Sequence, residues 1–148
     1  MLKPPMQYSK VGLALTERFE GCALHAYPDV VGVPTIGYGH TRGVRIGMTC
    51  TLAQAQDWLA QDTLDAQDAV NEMVDVALSQ SEFDALVDFV FNLGAYAFGH
   101  STLLRLLNAG DFAAAAGQFA LWDHAGGQVV AGLLRRRLAE RQEFTQGG

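Results

Sequence analysis

Five glycines between residues 32 and 47 restrict this chain more than any other feature of its 148 residues. Gly32, Gly37, Gly39, Gly43 and Gly47 cut the segment from Leu24 to Ile46 into short runs rich in Val, Ile, Thr and Tyr. Such runs cannot sustain a helix and read as a small antiparallel meander. Pro28-Asp29 and Thr41-Arg42-Gly43 supply its turns. On both sides the apolar period changes to that of a helix. Ser9 is placed to cap a first helix whose apolar positions, Leu13 and Ala14, recur towards Phe19, and Gly21 stops it. Thr51 and Gln54 form a capping box ahead of a second helix. Its apolar-face positions Leu52, Ala55, Leu59, Thr63, Ala66 and Val70 make it long, with Asp57, Asp62, Asp65 and Asp68 on a mostly solvated face.

Beyond Val70 the pattern stays helical. Val74, Val76 and Leu78 alternate as an extended link, and Ser79 with Glu82 opens an apolar helix through Phe83, Leu86, Val87, Val90 and Phe91 that Gly94 ends. Ser101 to Asn108, Asp111 to Trp122 and Leu133 to Phe144 follow as helices, with Gly126-Gly127 as a loop. The expected class is α+β, mostly α, with the β part at one end. One domain is expected over 1–148, with a small lobe at about 20–50 and a helical lobe at about 74–148 packed with the N-terminal helix. A long helix joins the two lobes, and the active-site cleft is expected between them.

Composition removes several function classes. A net charge of −6 leaves no broad basic surface for nucleic acid. Arg135-Arg136-Arg137, with Arg141, is the local exception; it reads as a solvated helix face or as a local attractor for an anionic polymer. The apolar run Val11 to Leu15 is too short for a signal peptide and ends in Thr16, Glu17 and Arg18. No stretch approaches the length of a membrane span, so a monomer made in the cytoplasm without stable membrane insertion is expected. Cys22 and Cys50 read as reduced thiols rather than a bridge. His25, His40, His100 and His124 lack the paired spacing of metal ligands, and neither metal nor cofactor is expected. A structural hydrogen bond behind the strand is the reading for His40, and core packing that for Trp58 and Trp122.

Glu20, Asp29 and Thr35 are the candidate chemistry. A general acid must hold its proton near neutral pH, which a partly apolar position such as that of Glu20 beside Phe19 favours. Asp29, in a better solvated turn, suits the role of carboxylate. Two carboxyl groups in unlike environments are what glycoside hydrolysis needs. Alternation from Thr35 to His40 puts Thr35, Gly37 and Gly39 on one face and Ile36, Tyr38 and His40 on the other. That leaves one hydroxyl beside two positions without side chains, where a ligand can approach the backbone. Spacing alone does not separate this from an ordinary surface turn.

The wording of the segment does. Residues 20–40 have the form E-G-x-x-L-x-x-Y-x-D-x-x-G-x-x-T-I-G-x-G-H, carried by Glu20, Gly21, Leu24, Tyr27, Asp29, Gly32, Thr35, Ile36, Gly37, Gly39 and His40. This resembles the active-site segment of the phage-type lysozymes, the endolysin muramidases of glycoside hydrolase family 24. FDALVDFVFNLG from Phe83, STLLRLLNAGDF from Ser101 and GLLRRRLAER from Gly132 extend the similarity over nearly the whole chain. The resemblance implies a lysozyme-like fold and hydrolysis of the β-1,4 bond between N-acetylmuramic acid and N-acetylglucosamine in peptidoglycan, with inversion. Glu20 is then the general acid, Asp29 the carboxylate that activates water and Thr35 its partner, while Phe91, Asn92 and Gln118 line the saccharide groove. It also implies release to the cell wall from the host cytoplasm through a holin-like pore. Many lysozymes are basic and this chain is acidic, so attraction to the anionic wall is expected to come from the Arg135 to Arg137 cluster. A lytic transglycosylase and a peptidoglycan-binding domain without activity are the rival readings; the first needs no water-directing Asp29, and the second usually loses one of the three residues.

Overall fold

The computed structural model describes residues 3–146. Helix α1 (Lys10–Glu20) leads into strands β1 (Ala23–Pro28) and β2 (Pro34–Gly37), followed by α2 (Leu52–Asp62), α3 (Leu64–Met73) and α4 (Gln80–Leu93). Short helices α5 (Ala95–Gly99), α6 (Thr102–Asn108) and α7 (Phe112–Gln118) and a 3-10 turn (Phe119–Leu121) precede a two-residue-per-strand hairpin, β3 (His124–Ala125) and β4 (Gln128–Val129). Helix α8 (Ala131–Gln146) ends the described chain. The α+β, mostly helical class expected from the sequence is what forms.

Contacts divide the chain into two compact units, Leu13–Leu64 and a second made of the residues up to Gly12 and from Asp65 onward. The boundaries fall at Gly12 and Leu64 instead of near 20, 50 and 74, because most of α1 and all of α2 group with the hairpin. Helix α2 packs on β2, where a Cβ on Gly37 would stand 3.1 Å from the Ala55 side chain. The single long helix expected from Thr51 to Val70 is two helices that meet at Thr63. Its hydroxyl donates to the Ala60 carbonyl at 3.0 Å, a local bond that competes with the helical ladder.

In the smaller unit the meander is less regular than expected. Strands β1 and β2 form an antiparallel hairpin, and the third run, residues 48–50, only edges β1. Ala26 N donates to Met48 O and Cys50 N to Leu24 O, both at 2.9 Å.

In the larger unit the core centres on Phe89, which is fully buried and meets Phe98, Phe119 and Trp122 edge-on at 6.1, 5.5 and 5.6 Å. Trp122 is therefore packed, half-buried, against the core. The capping boxes at Thr51 and Ser79 form as expected, as do the caps by Ser101 and Asp111. Gly94 ends α4 with φ of +95°, a conformation that favours glycine. Residues 126 and 127, expected as a loop, are the positive-φ turn of the β3–β4 hairpin.

The arginine cluster overturns its sequence reading. Arg136 and Arg137 are buried, and only Arg135 and Arg141 face solvent. Helix α8 lies along α4 with Arg136, Arg137, Glu140 and Phe144 on its inner stripe. Asp88 of α4 receives Arg136 in a two-pronged pair, Nε to Oδ2 at 2.9 Å and Nη2 to Oδ1 at 2.8 Å. Arg137 Nη2 donates to Glu140 Oε2 at 2.9 Å. Once desolvated, these cations are neutralised by acids of the same interface and are not available to a distant polymer. The clue lies in α4, where Asp84 and Asp88 interrupt an apolar run one turn apart, an arrangement that needs buried partners.

Burial pushes the Glu140 carboxyl well above its usual range, helped by the adjacent Asp88 and opposed by Arg137 and Arg136. Between 4.5 and that raised value the folded protein holds a proton that the unfolded chain releases, and above it the carboxylate pairs with Arg137. This contribution to stability is complete below 4.5 and is lost as pH rises through the raised folded value. Urea unfolding of wild type and Glu140→Gln between about pH 5 and 8 is expected to show wild type losing stability relative to the variant as pH rises. A difference that stays flat or changes in the opposite direction refutes this.

Candidate active site

The turn joining β1 to β2 is built around one carboxylate. Asp29 Oδ1 accepts from Val31 N at 2.9 Å and from Val33 N at 2.8 Å. The backbone closes the same turn through Asp29 N to Val33 O and Gly32 N to Asp29 O, both 2.9 Å. Gly32, at φ of +89°, takes the left-handed step there. Two N–H groups on one oxygen hold the carboxylate in a single orientation, and Oδ2 makes no hydrogen bond among the described residues.

Val33 also orients Thr35. The Thr35 hydroxyl donates to Val33 O at 2.9 Å, and Thr35 pairs across the hairpin with Tyr27. Asp29 and Thr35 are thus tied to the N–H and the C=O of one residue. With its proton committed to Val33, the nearly buried Thr35 oxygen is left as an acceptor.

Glu20 is the last residue of α1 and is half-buried. Gly21 turns the chain away at φ of +68°, its N–H bonded to Glu17 O at 3.1 Å. Regular alternation from Thr35 to His40, expected from the sequence, stops at Gly37. Ile36 and His40 exchange two backbone hydrogen bonds of 2.9 Å around a tight reversal in which Gly37 and Gly39 have φ of +65° and +83°. The two glycines therefore do not share an open face. Gly37 meets Ala55 and Trp58, and a Cβ on Gly39 would come within 3.3 Å of Glu20 Oε1.

His40 anchors that reversal from behind. Its Nδ1 lies 2.8 Å from Asp62 Oδ2, and its ring stacks on Trp58 at 4.6 Å and 7°. The structural role expected for His40 is what forms. Trp58 is half-buried and serves this stack; it does not join the main core. Helix α2 thereby supports the reversal at Gly39, where a side chain would crowd the Glu20 carboxyl.

Glu20, Asp29 and Thr35 thus lie in one compact unit, Leu13–Leu64, while Phe91, Asn92 and Gln118 belong to the other. Phe91 packs partly buried against the core. Asn92 accepts from Arg137 Nη2 at 2.9 Å, and Gln118 closes α7 half-exposed. Cys22 and Cys50 are free thiols, the first exposed and the second half-buried. Among the described residues no cluster of His, Cys, Asp and Glu is arranged to hold a metal.

Asp29 combines a structural acceptor with a free carboxylate oxygen, and substitution separates the two. Asp29→Asn keeps an acceptor for Val31 and Val33 and is expected to unfold in urea within about 0.5 kcal/mol of wild type, whereas Asp29→Ala loses about 1 kcal/mol. Equal losses in the two variants contradict this account of the turn.

Comparison with known proteins places the whole chain. Residues 17–140 match the family model of phage lysozyme. An endolysin of Acyrthosiphon pisum secondary endosymbiont phage 1 is 40% identical over 143 residues, covering 94% of this chain and 98% of that protein. The solved endolysin from Escherichia coli O157:H7 phage FAHEc1 superposes with a TM-score of 0.90 at 35% identity, covering 99% of this chain and 98% of its own. The muramidase domain of SpmX from Asticaccaulis excentricus gives 0.89 at 40% identity, covering 95% and 98%. With the Glu20 to His40 segment folded as a helix end, a hairpin and a glycine reversal, and with similarity running from end to end, this chain belongs to the phage lysozyme family.

Proposed function

We propose that this protein is an endolysin that hydrolyses the β-1,4 bond between N-acetylmuramic acid and N-acetylglucosamine of peptidoglycan with inversion, as an N-acetylmuramidase. The observation that carries this reading is the coupling of Asp29 and Thr35 through Val33. Asp29 Oδ2 and Thr35 Oγ1 are both acceptors, so a water donating its two protons to them turns a lone pair outward, towards an anomeric carbon. As that water oxygen bonds to carbon, its proton passes to Asp29. The glycosidic C–O bond breaks and the leaving oxygen takes the proton of Glu20, which balances charge and protons in one step. Gly39, by lacking a side chain, leaves the Glu20 carboxyl its place.

Phe91, Asn92 and Gln118 are the saccharide contacts in this reading. The protein acts as a monomer and a single catalytic domain, without nucleic acid or cofactor. It is made in the host cytoplasm and reaches the wall through a holin-like pore. Burial of Arg136 and Arg137 removes the basic cluster from wall attraction, so affinity rests on short-range contacts. The solvent-facing Asp29 turn, with its water-directing oxygen, favours hydrolysis over transglycosylation, which needs the acid alone.

Loss of turbidity of outer-membrane-permeabilised Gram-negative cells tests the assignment. Glu20→Gln is expected to slow clearing by about 100-fold or more, and Asp29→Asn comparably while keeping its fold. Clearing by Glu20→Gln at the wild-type rate refutes the general acid. Mass spectrometry of the released muropeptides is expected to find reducing ends; 1,6-anhydro ends instead mean transglycosylation, and no release means a binding domain. Producing cells are expected to lyse only when a pore-forming protein is supplied.

A further inference from the structure

The proposed reaction gives no role to Arg137, although no part of its side chain is exposed. Its guanidinium is confined on several sides. Nη2 donates to Glu140 Oε2 and to Asn92 Oδ1, each at 2.9 Å. Nε stands 2.8 Å from Glu140 Oε1 at ion-pair distance without hydrogen-bond geometry. Cζ lies 5.3 Å from the centre of the Phe89 ring. A planar guanidinium with a carboxylate along its edge and an aromatic face beside it keeps little rotational freedom.

This decides the orientation of the Asn92 amide. An asparagine side chain presents an acceptor at one end and two donors at the other, whereas arginine has donors only. Only the amide oxygen can therefore face Arg137. The Nδ2 end points the other way from a half-buried position in the last turn of α4 and makes no hydrogen bond among the described residues.

We propose that Arg137 is a positioning residue for saccharide binding: it locks Asn92 with its N–H groups outward, so that Asn92 selects an acceptor oxygen, the N-acetyl carbonyl of a glycan ring. The inference rests on the reading that Asn92 contacts saccharide. A residue that only neutralised Glu140 would need no planar fork, and lysine would serve equally well.

The test uses steady-state hydrolysis of a soluble, uncross-linked hexasaccharide of alternating N-acetylglucosamine and N-acetylmuramic acid. Arg137→Lys keeps the charge and loses the fork. It is expected to raise KM about three- to tenfold, the effect of one lost hydrogen bond, with kcat within about twofold. Asn92→Ala is expected to do the same, and the double variant to be no worse than Asn92→Ala alone, since the two act as a unit. Asn92→Asp keeps an oxygen for Arg137 and replaces the outward N–H groups with a second oxygen. It is expected to raise KM at least as much as Asn92→Ala while its Tm stays at the wild-type value. If Arg137→Lys folds and leaves KM unchanged, or raises it as much in the Asn92→Ala background as in wild type, the positioning role is overturned and the saccharide contact of Asn92 stands. If Asn92→Ala itself keeps wild-type KM, the saccharide reading of Asn92 fails and the inference fails with it. Should Arg137→Lys fail to fold, Asn92→Asp decides, and a wild-type KM there overturns the proposal.

Discussion

Two arginines and two carboxylates buried between α4 and α8 are the constraint on which the larger unit depends. Removing a charge from water costs several kcal/mol unless a partner of opposite sign and good geometry replaces the solvent. Asp88 and Glu140 meet that requirement for Arg136 and Arg137, and the bonds that cross from α8 to α4, Arg136 to Asp88 and Arg137 to Asn92, fix the register of one helix against the other. Around this polar seam the packing is aromatic, with Phe89 at its centre and the Arg137 guanidinium beside its ring. The seam also reaches outward, since Arg137 holds the side chain of Asn92.

The smaller unit uses backbone where the larger uses charge. Its carboxylate at the hairpin turn is oriented by amide N–H groups, its threonine by a carbonyl, and its reversal at residues 36–40 by a pair of backbone bonds. Side chains enter chiefly as supports, as when Asp62 and Trp58 fix His40. Asp29 is ordered in this way by backbone N–H groups, which leave its second oxygen to acid–base chemistry.

Local signals were reliable wherever a short-range interaction decides the structure. The capping boxes at Thr51–Gln54 and Ser79–Glu82 and the stops at Gly21 and Gly94 each depend on residues within four positions, and all were legible. Reading failed where a side chain competes with the helical ladder or where distant residues compete. Thr63 has a helix former's spacing but back-bonds to Ala60, so one helix became two. Gly37 and Gly39 fit strand alternation, yet α2 behind Gly37 and the exchange between Ile36 and His40 turn the chain back. The triplet Arg135, Arg136 and Arg137 is the sharpest case, because identical neighbours have opposite fates once α8 docks on α4.

By itself the sequence determined the class of fold, the caps and stops of several helices, the position of the hairpin and, through resemblance over the intervals from Glu20 to His40, the family. The fold class, caps and hairpin rest on periodicity, capping and turn chemistry, which act over a few residues. Only the tertiary structure decided that a side chain at Gly39 would crowd Glu20, that Arg136 and Arg137 are buried and that Arg137 engages the amide oxygen of Asn92. Those outcomes depend on which groups lose their water together, and burial is a property of the packed chain that no short segment contains.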